Sequence, residues 1–139
     1  MFEIPSWVNK YIGIPFEDHG RTMKACDCWG LIKLIYEREF NIEIPDYRGY
    51  EDTKDREFIS HLMNDRINNE IWVRVYTEKA VDFGDIIIFT QGGQPVHAAM
   101  ALTNRIMLHT VRGQNSVIES FATMKWKKRL EGFYRYNRA

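Results

Sequence analysis

The stretch Cys26-Asp27-Cys28-Trp29-Gly30-Leu31-Ile32-Lys33-Leu34-Ile35-Tyr36-Glu37-Arg38 decides how this chain is read. Leu31, Ile32, Ile35 and Tyr36 fall at the three-and-four spacing of one helix face, while Lys33, Glu37 and Arg38 mark the other. Asp27 stands immediately before this pattern, where a carboxylate can accept the amide hydrogens that a first turn leaves unpaired. The helix is therefore predicted to begin at or near Cys28. A thiol there meets the first-turn amides and the positive end of the helix dipole, which stabilise a thiolate and lower its pKa below the free value of about 8.5. The same amides can help hold the oxyanion that forms when a carbonyl is attacked. Taken alone, Cys28 reads equally well as a small hydrophobe sharing a face with Leu31 and Ile35.

Outward from this helix, residues 7–12 are predicted to form a short helix stopped by Gly13 and Pro15. Residues 17–24 are polar and turn-rich, with the composition of a mobile loop. After the helix, residues 41–49 read as a connection through Pro45 and Asp46. Phe58, Ile59, Leu62, Met63 and Ile67 then recover helical spacing as far as Asn68-Asn69.

Beyond residue 70 the texture changes to short runs rich in Val, Ile, Thr, Tyr and Phe, at 71–77, 85–90, 96–102, 106–111 and 116–121, which suggest an antiparallel meander. A last run, 132–136, is expected to add an edge strand. The expectation is one α+β domain over residues 1–139, with N-terminal helices packed on a five- or six-stranded antiparallel sheet.

Two histidines change the weighing of Cys28. His97 and His109 each lie inside a predicted strand, twelve residues apart around a turn near Thr103-Asn104. Residues whose numbers average to the centre of a hairpin turn become cross-strand neighbours on one face. A turn centred on Thr103 without a bulge would set the two imidazoles side by side, one fixing the tautomer of the other. With Cys28 this supplies nucleophile, base and orienting residue. His19, in a polar loop, and His61, beside an apolar stripe, show no such pairing and are read as non-functional.

A zinc site built from Cys26, Cys28, His97 and His109 is the competing use of these residue types. The Cys-x-Cys spacing is tighter than the usual ligand gap, and a helix start at Cys28 turns Cys26 elsewhere, so neither metal nor cofactor is expected. The two cysteines are also too close to staple the fold and read as reduced thiols.

The 139 residues are 45% hydrophobic, enough for one core, and nineteen basic residues balance nineteen acidic ones. No global field would draw the chain to nucleic acid or an anionic membrane. The local basic run 125–129 is read as a solvated strand edge around a core Trp126. No apolar run reaches the roughly 18 residues of a membrane span, and the first residues do not read as an export signal.

Asp27-Cys28-Trp29-Gly30-Leu31 resembles the Asp-Cys-Ser-Gly-Leu nucleophile motif of the NlpC family of papain-like cysteine peptidases. Gly84-Asp85-Ile86-Ile87-Ile88-Phe89 resembles its Gly-Asp strand, and Val96-His97-Ala98-Ala99-Met100 its base-bearing strand, with the polar third residue falling on His109. Tyr11-Ile12-Gly13-Ile14-Pro15-Phe16, the Gly20-Arg21 pair, Cys28-Trp29-Gly30, Ile44-Pro45-Asp46-Tyr47 and the closing Gly132-Phe133-Tyr134-Arg135 resemble the small members carried by tailed bacteriophages at the tail tip.

The resemblance implies a papain-like fold and a peptidase that cuts peptidoglycan stem peptides near the D-glutamyl to diamino-acid linkage. It implies tail-tip proteins as partners, with synthesis in the bacterial host cytoplasm followed by residence in the virion tail. A structural tail-tip protein that keeps the triad but acts by binding is the alternative. Trp29 departs from the common Ser, and Phe16 stands where many relatives have a Tyr whose hydroxyl helps polarise the substrate. Cys26 stands where a small non-thiol residue is usual, open to oxidation.

Overall fold

The structure, a computed structural model, describes residues 3–46, 71–91 and 94–137. The helix expected around Phe58 to Ile67 lies outside them, as does His61. Residues Ser6–Tyr11 form a 3-10 helix that buries Val8 and Tyr11. A two-stranded hairpin follows, β1 (Arg21–Thr22) and β2 (Ala25–Cys26), and leads directly into α1 (Cys28–Glu39). The remaining strands are β3 (Trp72–Val75), β4 (Ile86–Gln91), β5 (Gln94–Ala101), β6 (Ile106–His109), β7 (Val117–Ser120) and β8 (Leu130–Tyr136), with a one-turn helix α2 (Met124–Lys127) before the last.

These strands make one antiparallel sheet in the order β3-β8-β4-β5-β6-β7. The meander is present as β4 to β7, but β8 is not the edge strand expected from sequence. It lies between β3 and β4, its Phe133 opposite both Val75 and Ile87, so it is paired on both sides. Gly132, Phe133 and Tyr134 read like any apolar strand, and nothing local distinguishes an interior place from an edge one. The basic run also differs from expectation: its residues 125–127 are helical rather than extended, although Trp126 is buried as anticipated.

Strand alternation divides the core into two layers. Ile86, Ile88, Ala98, Met100 and Leu108 face α1 and the 3-10 helix, joining Cys28, Trp29, Leu31, Ile32 and Ile35. Ile87, Phe89, Ala99, Ala101, Met107, Phe121 and Phe133 face the other way and are covered by Trp126. Each large aliphatic side chain buried in this way contributes roughly 1.5–3 kcal/mol. On α1, burial extends beyond the predicted stripe to Trp29 and Leu34, because residues 44–46 lie along a second side of the helix. Trp29 Nε1 donates to the Pro45 carbonyl (2.9 Å) and Lys33 Nζ to the Ile44 carbonyl (2.7 Å).

Candidate active site

The start of α1 is built around Asp27, which is almost wholly buried. Its carboxylate accepts the Gly30 amide (2.7 Å) as a cap, the His19 amide (3.0 Å) and the Arg21 guanidinium (2.7 Å). Arg21 also donates to Asp46 (2.6 Å) and to the Gly20 carbonyl (2.9 Å). Gly30 has no room for a side chain, since a Cβ there would collide with the Gly20 carbonyl oxygen. A Cβ on Gly20 would come within 2.6 Å of the Ala25 carbonyl oxygen. The two glycines thus let the β1–β2 hairpin lie against the first helical turn. Residues 17–24, expected to be a mobile loop, are pinned, because their polar groups are the partners of a buried carboxylate.

Cys28 is the first helical residue and is buried in the layer that contains Ala98, the neighbour of His97. Cys26 is fully buried in β2, and its thiol is pushed up to about 12, first by burial and then by the Asp27 charge. That makes Cys26 a poor nucleophile and a poor target for oxidation, against the expectation that it is open to it.

His97 lies on β5 and His109 closes β6, with His97 Nε2 2.9 Å from His109 Nδ1. The register is not the one expected. Met100 pairs with Leu108 and Ala101 with Met107, which centres the turn on Asn104 rather than Thr103. The Thr103 hydroxyl accepts the amides of Arg105 and Ile106 (both 3.0 Å) and fixes that turn. His97 and His109 are therefore diagonal neighbours. They still meet, because the change leaves both on the same face of the sheet. A bulge between Phe89 and Thr90, directly across from His97, adjusts the strand at this point.

Alternation sends His97 to the Phe89 and Trp126 side, opposite Ala98. The segment that follows β6 is tied to the segment that precedes α1. Beyond His109, Arg112 donates to both carboxylate oxygens of Asp18 (2.7 and 2.8 Å), and its guanidinium lies over the Phe16 ring. The Ser116 amide donates to the Ile14 carbonyl, and the Gly13 amide to the Ser116 carbonyl (both 2.9 Å). Phe16 bridges to Cys26, and α1 packs on β5.

Sequence reasoning missed a third polar group on this diagonal. His109 Nε2 is 2.9 Å from Glu119 Oε1 on β7, and Trp126 Nε1 donates to Glu119 Oε2 (2.8 Å). A signal was available: 109 and 119 average to 114, in the next turn, so the argument that paired the histidines also pairs His109 with Glu119. Burial, the positive field of His109 and that of Arg129 hold the His97 pKa well below the usual histidine value. Burial also lowers that of His109, partly offset by Glu119. Both shifts favour the neutral rings.

Among the described residues no cluster of His, Cys, Asp and Glu has the arrangement of a metal site, and no helix is long and apolar enough to cross a membrane.

A buried thiol at a capped helix start, on a helix packed against an antiparallel sheet that carries a histidine pair, has the architecture of a papain-like fold. Residues 13–135 match the model of the NlpC/P60 family, and the chain belongs to that family. Among solved structures it is similar to an NlpC/P60 family protein from Bacillus cereus, with a TM-score of 0.67 and 21% identity over 97% of this chain and 41% of that one. It is also similar to an NLP/P60 lipoprotein-like protein from Staphylococcus aureus (TM-score 0.64, 19% identity, 94% of this chain and 39% of that one). The NlpC/p60 domain of the peptidoglycan hydrolase SagA gives a TM-score of 0.59 at 20% identity over 91% of this chain and 89% of that one. This chain thus spans about two fifths of the length of the first two. No curated protein sequence matches it.

Proposed function

We propose that this domain is a cysteine endopeptidase that cleaves an amide bond in peptidoglycan stem peptides, near the D-glutamyl to diamino-acid linkage. The observation that carries the reading is the 2.9 Å imidazole pair of His97 and His109 at the end of the sheet tied to the capped helix start of Cys28, in a chain of the NlpC/P60 family. The Cys28 thiol gives its proton to His97 as sulfur bonds to the scissile carbonyl carbon. First-turn amides of α1 stabilise the resulting oxyanion. His97 then passes the proton to the departing amine nitrogen as the C–N bond breaks. A water, deprotonated by His97, attacks the thioester and returns the thiol. His109 holds the imidazole in place throughout.

Incubation with purified peptidoglycan fragments tests this directly. Wild type and Cys26→Ala release new amino termini, whereas Cys28→Ala releases none; equal release by Cys28→Ala would refute the assignment.

We place the domain in a bacteriophage tail tip, made in the host cytoplasm and carried in the virion. Supporting this narrower reading, several of the residues behind the phage-type resemblance contact one another around the start of α1. Arg21 holds Asp46, Trp29 holds Pro45, and Gly20 meets Gly30. Mass spectrometry of purified virions from the encoding phage should find the chain with the tail proteins; its absence from tails would remove this setting.

A further inference from the structure

Glu119 is more than an incidental partner of His109. We infer that Glu119 is a positioning residue that sets the tautomers of both histidines through the chain Trp126–Glu119–His109–His97, and so leaves His97 Nδ1 free to act as the base. The inference deepens the peptidase reading and rests on it only for its catalytic consequence.

The assignment follows from donor and acceptor rules. An ionised carboxylate only accepts, and burial does not keep Glu119 protonated: its pKa lies below the usual carboxylate value, held down by hydrogen bonds from Trp126 and His109 against a burial effect of opposite sign. Trp126 Nε1 only donates, and it occupies Oε2. Glu119 Oε1 at 2.9 Å therefore takes the Nε2 proton of His109. Neutral His109 then offers a lone pair at Nδ1, and His97 must fill the 2.9 Å gap with its own Nε2 proton. The remaining nitrogen of neutral His97, Nδ1, carries the lone pair and points away from His109. This is the atom available for the Cys28 proton. When His97 becomes an imidazolium, both its nitrogens donate and His109 continues to accept, so no ring has to turn during the reaction.

The substitution Glu119→Gln keeps the size of the side chain and reverses this logic. The Trp126 N–H requires the amide oxygen, which directs the amide NH2 at His109 Nε2. That nitrogen must then accept, the His109 proton moves to Nδ1, and His97 is left with its proton on Nδ1, the wrong atom for a base. Removing the indole donor frees the amide to turn over. In Glu119→Gln/Trp126→Phe the oxygen can again face His109, so the double variant is expected to outperform the single one. A residue that merely braced the fold would show the opposite, a further loss on adding Trp126→Phe.

The test has two independent readouts. The first is the 15N spectrum of the histidine rings in a Cys28→Ala background at neutral pH, where protonated and unprotonated ring nitrogens are well separated. The Nε2–H form of both rings is expected with Glu119 and with Trp126→Phe, and the Nδ1–H form with Glu119→Gln. The second is turnover of peptidoglycan fragments with Cys28 present. Glu119→Gln should lower kcat on the order of 100-fold with little change in KM, and the added Trp126→Phe should recover about tenfold of it, the remainder reflecting the lost charge.

An Nδ1–H tautomer of His97 in the presence of Glu119, or retention of Nε2–H in Glu119→Gln, would overturn the relay. The expected tautomers in a protein that cleaves no peptidoglycan would support the relay and refute the peptidase reading instead.

Discussion

Replacing Arg21 with methionine cuts the tie that holds the hairpin, the Asp46 loop and the helix start together. The Arg21 side chain is 11% exposed and that of Asp27 2%, at 2.7 Å. Methionine keeps the apolar stem and removes every donor. The Asp27 carboxylate is then left buried with only the amides of Gly30 and His19. Removing one partner of a buried pair costs roughly 3–5 kcal/mol, and the two surviving donors place the expectation near about 3 kcal/mol. With an unfolding entropy of about 2.1 cal/mol/K per residue over 139 residues, this lowers Tm by about 10 °C. Urea unfolding followed by tryptophan fluorescence measures the loss directly. Adding Asp27→Asn removes the stranded charge but keeps a good cap, so the double variant should regain about 1 kcal/mol or more. A single variant within about 1 kcal/mol of wild type at unchanged m value, or a double variant less stable than the single, would show that the charge is not held as argued.

Three further outcomes are expected. Gly30→Ala should destabilise by about 3 kcal/mol or more because its Cβ meets the Gly20 carbonyl, although helix propensity alone predicts a gain of about 1 kcal/mol; thermal unfolding decides the sign. His97 and His109 have lowered pKa values in the fold, so the unfolded chain binds more protons below its histidine pKa of about 6.5. Stability is therefore full above that pH and falls on acidification, each ring contributing a slope of up to about 1.4 kcal/mol per pH unit until its folded pKa is reached; urea midpoints between pH 5 and 7 should fall less steeply in His97→Gln. Because burial, reinforced by His109 and Arg129, disfavours a resting imidazolium at His97, iodoacetamide should alkylate Cys28 with a rate that keeps falling toward low pH. A rate plateau extending below pH 5 would mean a preformed ion pair.

The parts of the fold that were legible in the sequence are those governed by local periodicity. The helix from Cys28 and the strands at 86–91 and 106–109 announce themselves through spacing alone. The place of β8 between β3 and β4 depends on a partner about 60 residues away, and no local pattern encodes it. The polar residues 17–24 have the composition of a mobile loop, yet residues 21–26 form the β1–β2 hairpin. Arg21 and the amide of His19 are engaged inward by Asp27, so composition described their chemistry correctly and their exposure wrongly.

A turn centred on Asn104 rather than Thr103 still brings the two histidines together, for a reason that sets the geometry of the pair. Side chains on a strand repeat every two residues, so moving the sum of paired numbers from 206 to 208 turns an opposed pair into a diagonal one without changing faces. Long rings bridge the diagonal, as the 2.9 Å contact of His97 with His109 demonstrates. The pairing of His109 with Val117 makes Glu119 diagonal to His109 in the same sense. Two such steps carry a continuous line of side chains from His97, at the end of the sheet beside the helix start, to a carboxylate on the outer strand that is 34% exposed. The line lies on the face opposite α1. In the proposed mechanism the histidines and the nucleophile thus belong to separate layers of the core. That division lets the polar chain be fixed by sheet register while the position of Cys28 is fixed by the Asp27 cap and the Gly20–Gly30 contact.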